Sequence, residues 1–241
     1  MTLSPADFFD KETELEIIRD LVQNSKFVWE ILPKIKPLLN QILQNKQVIQ
    51  GDVSPGAYLS ENPIFIHETA IIEPGAFIQG PAYIGEDVVV RHGAYVRDNV
   101  ILLNGSILGH ASEAKNSLFF PHAYAPHFNY VGDSILGSHV NLGAGTKLSN
   151  LTIVSEKDEK TGKRPTIKLR IDDIEYDTKL AKLGAILGNN AQTGCNSVLN
   201  PGCLVGKNSL IYANASLRKG YYPPNKIIKL RQEIEIIEKN L

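Results

Sequence analysis

The sequence predicts a mainly β chain: a left-handed parallel β-helix flanked by an N-terminal α-helical hairpin and a C-terminal α-helix. The first observation is a branched aliphatic residue at every sixth position, through Ile66, Ile72, Ile78, Ile84, Val90, Val96, Leu102 and Leu108. The second is a small or slim residue four places after each, at Ala70, Ala76, Ala82, Val88, Ala94, Val100, Ser106 and Ser112. The third is the period itself, which fits neither a helix nor an alternating strand and therefore describes a repeat architecture. Three hexads make one triangular coil of about 18 residues, and coils stack at the inter-strand spacing of roughly 4.8 Å. The aliphatic side chain points into the prism, and the small one fits a corner. Coils of this hand break the right-handed crossover rule, so chance seldom imitates the pattern.

Composition narrows the partners. The 241 residues carry 25 basic and 26 acidic side chains, a net charge of −1, which offers no bulk attraction to nucleic acid or an anionic membrane. Of the two cysteines, Cys195 and Cys203, the second falls on a small corner position, and both read as reduced fillers. Asp7, Asp10 and Glu12 stand where a signal peptide needs basic residues, and no apolar run approaches a membrane span, so a cytoplasmic protein is expected.

Residues 1–50 form an N-terminal helical segment. Phe8, Phe9, Leu15, Ile17, Ile18, Leu21 and Val22, then Phe27, Val28, Ile31, Leu32, Ile35, Leu38, Leu39, Ile42 and Leu43, recur at helical spacing. A break is expected near Asn24 and Ser25, with Pro33 and Pro37 kinking or restarting the second helix. Such a segment is a structural cap or an oligomerisation element, covering the solenoid wall or a neighbouring subunit. The β-helix occupies 51–224. Its register slips between Ser112 and Leu136, which predicts an extruded loop near 113–135, and it is lost again over 155–180, where alternation predicts a protruding arm. Hexads resume at Leu187, Thr193, Leu199, Val205, Ile211 and Leu217. Residues 225–241 have the pattern of an amphipathic helix.

Chemistry can be placed on this ruler. Arg97 and Lys115 are 18 apart and each directly follows an inward position, so they stack on successive coils roughly 5 Å apart. Their repulsion is relieved by solvent, a nearby acid or a bound phosphate. His127 lies in the irregular segment, with Glu113 as a candidate orienting carboxylate, an arrangement suited to a general base for acyl transfer.

Three runs then carry a resemblance: Glu113-Ala114-Lys115-Asn116-Ser117, Ala125 to Asp133 (APHFNYVGD), and Val140 to Thr146 (VNLGAGT). They are similar, at matching intervals, to the acetyltransferase domain of the bifunctional glucosamine-1-phosphate acetyltransferase/uridylyltransferases, which are hexapeptide-repeat transferases. Lys179 to Gly188 with Gln192-Thr193-Gly194 resembles the archaeal-type members. The resemblance spans about 64–225. It implies a homotrimer that uses acetyl-CoA as co-substrate, needs no metal, and acts on an amino-sugar phosphate in nucleotide-sugar biosynthesis. It implies that His127 is the base, Glu113 assists it, Asn141 holds the amine or sugar, and the Ala144 amide faces the oxyanion. Arg97, Lys115, Tyr130 and Asn150 would bind the sugar phosphate, while Ala144, Cys195 and Ala213 would line the coenzyme A cleft. Two departures stand out. Leu151 replaces an aromatic residue that commonly follows the asparagine, and the first 50 residues are too short for a uridylyltransferase domain, which leaves a separate uridylyltransferase as a partner.

Two other function classes remain open on sequence. One is a zinc lyase resembling γ-type carbonic anhydrases, with ligands among His92, His110, His122 and His127. The other is a non-catalytic trimeric scaffold descended from a sugar nucleotidyltransferase.

Overall fold

The computed structural model describes residues 3–10 and 16–238, excluding the side chains of residues 16 and 17. The expected helical positions Leu15 and Ile17, and the last three residues of the expected C-terminal helix, lie outside what is described. The chain winds into a three-sided parallel β-solenoid with sheets of 9, 9 and 8 strands. Face 1 includes Ile64–Ile66, face 2 Ile71–Ile72 and face 3 Phe77–Ile78. The predicted inward residues from Ile66 to Leu108 are all buried within one cluster that runs the length of the prism. Aliphatic side chains from successive coils stack there, and this burial drives the fold.

No loop is extruded between 113 and 135, which corrects the sequence expectation. Those residues form strands Glu113–Lys115, Ser117–Phe119, Tyr124–His127 and Tyr130–Gly132. The pairing offset drops from 18 residues, as in Tyr95 with Glu113, to 17, as in Glu113 with Tyr130. The inward sequence becomes Leu108, Ala114, Phe119, Ala125, Val131 and Leu136, with one five-residue step per coil. The shortened corner is completed by serines. The Ser117 hydroxyl donates to the Lys115 carbonyl at 2.8 Å, and the Ser134 hydroxyl donates to the Gly132 carbonyl at 2.7 Å. Asn116 and Asp133 turn the corner at φ of 45°, a left-handed conformation that Asn and Asp tolerate.

The 155–180 segment does interrupt the coils, since Ile135 pairs with Ile186, but its hairpin does not protrude. Strands Lys168–Ile171 and Ile174–Asp177 join through Asp172 and Asp173, both at positive φ, as a two-residue hairpin turn requires. Alternation buries Ile167, Leu169 and Ile171 against face 1, because that face carries outward apolar residues, Ile186 and Leu204 among them. The N-terminal segment covers the same face. It consists of α1 (Pro5–Phe8), α2 (Glu16–Gln23), a 3-10 helix at Val28–Lys34 that holds Pro33, and α3 (Ile35–Leu43). The break after Gln23 agrees with the sequence; the two-helix hairpin is instead four short pieces. Phe9 stacks on Phe120 with centroids 4.5 Å apart, and Asp10 accepts from Lys207 at 2.6 Å and Asn189 at 2.8 Å. At the other end the amphipathic helix is absent: Ile227–Ile228 is a strand and 229–238 carries no regular structure. No helix among the described residues is long and apolar enough to cross a membrane.

Candidate active site

Register sorts the selected residues into columns. The turn between faces 2 and 3 places His92, His110, His127, Ala144, Cys195 and Ala213 one above another. Ala111 donates to the His92 carbonyl, Phe128 to that of His110, Gly145 to that of His127, Asn196 to that of Ala144, and Asn214 to that of Cys195, at 2.8 to 3.3 Å. His127 therefore sits directly below Ala144 and the column implied for coenzyme A. The three histidines differ. His92 bonds the Pro74 carbonyl through Nδ1 at 2.6 Å, and His110 bonds the His92 carbonyl at 3.0 Å, while their rings stack. The exposed His127 ring has no hydrogen bond to the described chain, leaving both nitrogens uncommitted.

Asn129, which the motifs do not single out, fixes this corner. It is 2% exposed, its Oδ1 accepts the His127 backbone N–H at 3.0 Å, and its Nδ2 donates to the Gly143 carbonyl at 2.8 Å. The side chain thus locks the base-bearing coil to the coil that carries Ala144. The Ala144 N–H donates to no group among the described residues. Asn141 stands on face 2, paired with Tyr124 and Gln192.

The second group gathers across face 3, toward its edge with face 1. Ala114 pairs with Val96, so Arg97 and Lys115 stack as the spacing predicts. The relief of their repulsion is an acid: Arg97 bonds Glu113 at 2.7 Å, which raises the guanidinium pKa further. Glu113 is accordingly engaged by Arg97, and no hydrogen bond joins it to His127. Lys115 has no ion-pair partner among the described residues. Gly132 stands above Lys115, and a Cβ there would meet the Tyr130 hydroxyl at 2.7 Å and the Asn150 amide at 2.8 Å, so only glycine lets Tyr130 fold over toward Asn150. Asp133 accepts from both Asn150, at 2.5 Å, and Asn116, at 2.8 Å, another contact that no motif announced. Burial, then the charges of Glu113 and Asp133, push the Tyr130 hydroxyl pKa up, keeping it a donor.

Cys195 is exposed rather than a filler, because it occupies a turn; Cys203 is buried and free, with burial pushing its thiol up to about 12. The histidines considered for zinc divide between two corners. His122 stacks with His139, away from His127, and no group of three or more His, Cys, Asp or Glu among the described residues is placed to hold a metal ion.

A repeat of this kind, closed into a three-sided solenoid with such corner columns, defines a class: the chain belongs to the hexapeptide-repeat acetyltransferases. Within them it is homologous to bifunctional proteins of the GlmU type. It is 34% identical over 211 residues to the bifunctional protein GlmU of Methanococcus maripaludis strain S2, covering 88% of this chain and 48% of that protein. It is 31% identical over 191 residues to a bifunctional sugar-1-phosphate nucleotidylyltransferase/acetyltransferase of Sulfurisphaera tokodaii, covering 79% and 45%. It is 30% identical over 220 residues to the uncharacterized acetyltransferase YaiX of Escherichia coli K12, covering 86% and 88%. The chain thus spans about half the length of the bifunctional relatives it matches. No protein-family model matches. Among solved structures, an acetyltransferase from Bacillus cereus is 16% identical with a TM-score of 0.41, covering 71% of this chain and 77% of that one.

Proposed function

We propose that this chain is an acetyl-CoA-dependent N-acetyltransferase acting on an amino-sugar phosphate. The observation that carries the reading is His127: of three histidines in one column it alone has no ring hydrogen bond among the described residues, and it lies directly below Ala144. The acceptor amine attacks the thioester carbonyl of acetyl-CoA, and the imidazole of His127 takes the proton the amine sheds. The tetrahedral oxyanion faces the unpaired Ala144 N–H, the kind of fixed donor that stabilises developing charge. Collapse forms the amide and expels the coenzyme A thiolate, which recovers the proton from His127. Asn141 orients the amine or sugar, Lys115 and Arg97 hold the phosphate with Tyr130 and Asn150, and Cys195 and Ala213 extend the donor column. Glu113 acts through Arg97, as a positioning residue. Homotrimerisation would bring a neighbouring prism against the two faces that the N-terminal segment leaves uncovered.

The test is coenzyme A release across a panel of amino-sugar phosphates. His127→Ala should abolish release without unfolding the solenoid, and Arg97→Ala should chiefly raise the acceptor KM. An unchanged rate in His127→Ala sinks the mechanism. Binding of acetyl-CoA with no acceptor acetylated favours the scaffold reading.

A further inference from the structure

The turn between faces 2 and 3 carries a second column beside the one that holds His127. Its members are Gly93, Ala111, Phe128, Gly145, Asn196 and Asn214, each directly following a residue of the first column, and all adopt a left-handed φ between 48° and 74°. Glycine and asparagine suit that conformation and alanine is small, whereas a bulky side chain is an outlier there. Phe128 is that outlier, at φ of 53°, and it is 56% exposed. Its ring meets that of His110 edge-on, with centroids 5.2 Å apart, and belongs to neither apolar cluster of the chain. An exposed aromatic ring on a strained backbone contributes little to the fold, and strain of this kind persists where a site uses it.

Its place in the column decides what the ring can touch. The Phe128 N–H donates to the His110 carbonyl, and the Gly145 N–H, one coil higher, donates to that of His127, so Gly145 lies directly above Phe128 and presents no side chain to it. A Cβ at Gly145 would collide with Oδ1 of Asn196, whose side chain leans down from the coil above. Between that amide and the Phe128 ring the column leaves about one coil of height free of side chains, roughly 4.8 Å. The Ala144 N–H, which donates to no group among the described residues, is on the same coil as Gly145. The donor column descends through Ala213 and Cys195 to Ala144, so an acyl group whose carbonyl faces that N–H extends its chain downward, onto the Phe128 ring. One coil of height admits a methyl group, and a longer chain meets the ring. Beneath it Ala111 is small, so the ring itself fills the next coil, down to His110.

We infer that the Phe128 ring is the floor of the acyl pocket, the side chain that confines the transferred group to acetyl. The inference rests on the acetyltransferase reading, which supplies the donor column. The experiment measures coenzyme A release by the full chain from acetyl-, propionyl- and butyryl-CoA, across the panel of amino-sugar phosphates, for the wild type, Phe128→Ala and Phe128→Gly. The glycine variant also frees the left-handed turn of its strain, so loss of folding cannot mask the result. In the wild type kcat/KM should fall tenfold or more from acetyl to butyryl, because a close-fitting apolar wall discriminates by about 10 to 200-fold for a single methylene. Both variants should reduce that discrimination tenfold or more. Equal use of acetyl- and butyryl-CoA by the wild type, or discrimination unchanged in Phe128→Gly, overturns the floor while leaving the acetyltransferase reading in place. An equal loss with all three donors in both variants also overturns it, by giving the ring to the acceptor or to a subunit contact. Release from none of the donors in the wild type overturns the acetyltransferase reading and the floor with it.

Discussion

Asn129 is where the candidate chemistry is most exposed to a single substitution. Removing its amide frees the His127 backbone N–H and takes from the Gly143 carbonyl one of its two donors, the Thr146 N–H being the other, loosening the two coils that bring base and oxyanion donor together. Asn129→Ala should lower kcat by roughly 10 to 100-fold, because small misplacements of a catalytic group cost about that much. It should also lose about 1 to 3 kcal/mol of stability, because the His127 N–H is left without its acceptor. Asn129→Asp keeps the acceptor but not the donor and should fall between; steady-state kinetics with urea melts would measure both. A second residue-scale expectation concerns Cys203. Its thiol is raised from 9.0 in the open chain to about 12, so the folded state favours the neutral form. That contribution is complete below pH 9 and is lost as pH climbs from 9 toward 12, where the unfolded thiol ionises first. The wild type should lose more stability between pH 8 and 11 than Cys203→Ala, and parallel losses would show that burial of the thiol is irrelevant.

At the scale of elements, the N-terminal segment and the docked hairpin act as one cover over face 1. Phe27 and Trp29 stack at 4.8 Å, and Tyr176 of the hairpin packs edge-on against Phe27 at 5.6 Å. Phe9 is 2% exposed, and its ring contact with Phe120 ties the end of α1 to the solenoid wall beside the edge-on contact of Phe8 with Tyr221. Phe9→Ala should cost about 3 to 5 kcal/mol in denaturant unfolding, the usual range for a buried aromatic; a near-neutral result would mean the segment is not integral to the fold. Asp10 adds an electrostatic tie. Hydrogen bonds from Lys207 and Asn189 hold its carboxyl below the usual 3.8, so its contribution is full above that pH and disappears as pH falls through the lowered value. Acid unfolding should therefore erase the difference between wild type and Asp10→Asn, a difference visible at pH 6.

For the whole molecule, stacking makes stability a property of neighbours along the axis. Central inward residues such as Val90, Leu108 and Leu142 are fully buried, whereas Val53 and Leu59 at one end and Tyr222 and Ile228 at the other are only partly covered. Amide hydrogen exchange should be slowest from about residue 82 to 148 and quicken toward both ends. Uniform protection would contradict a solenoid that frays from its terminal coils.

By itself the sequence determined which side chains enter the prism, because in a stacked coil the inward direction depends only on local spacing. The six-residue period from Ile66 to Leu108 is buried as predicted, and Arg97 lies one coil below Lys115. The irregular stretch after Ser112 misled because a corner shortened by one residue breaks the linear period while leaving every strand in register. Only the tertiary structure decided that Glu113 serves Arg97, that Asn129 braces the His127 corner, and that the 155–180 hairpin folds back on face 1. It also decided that the Phe128 ring packs on His110. Apart from the local bond from His127 to Asn129, these contacts join neighbouring or more distant coils, and which coils meet depends on the number of residues each corner uses, which the six-residue period does not report once it slips.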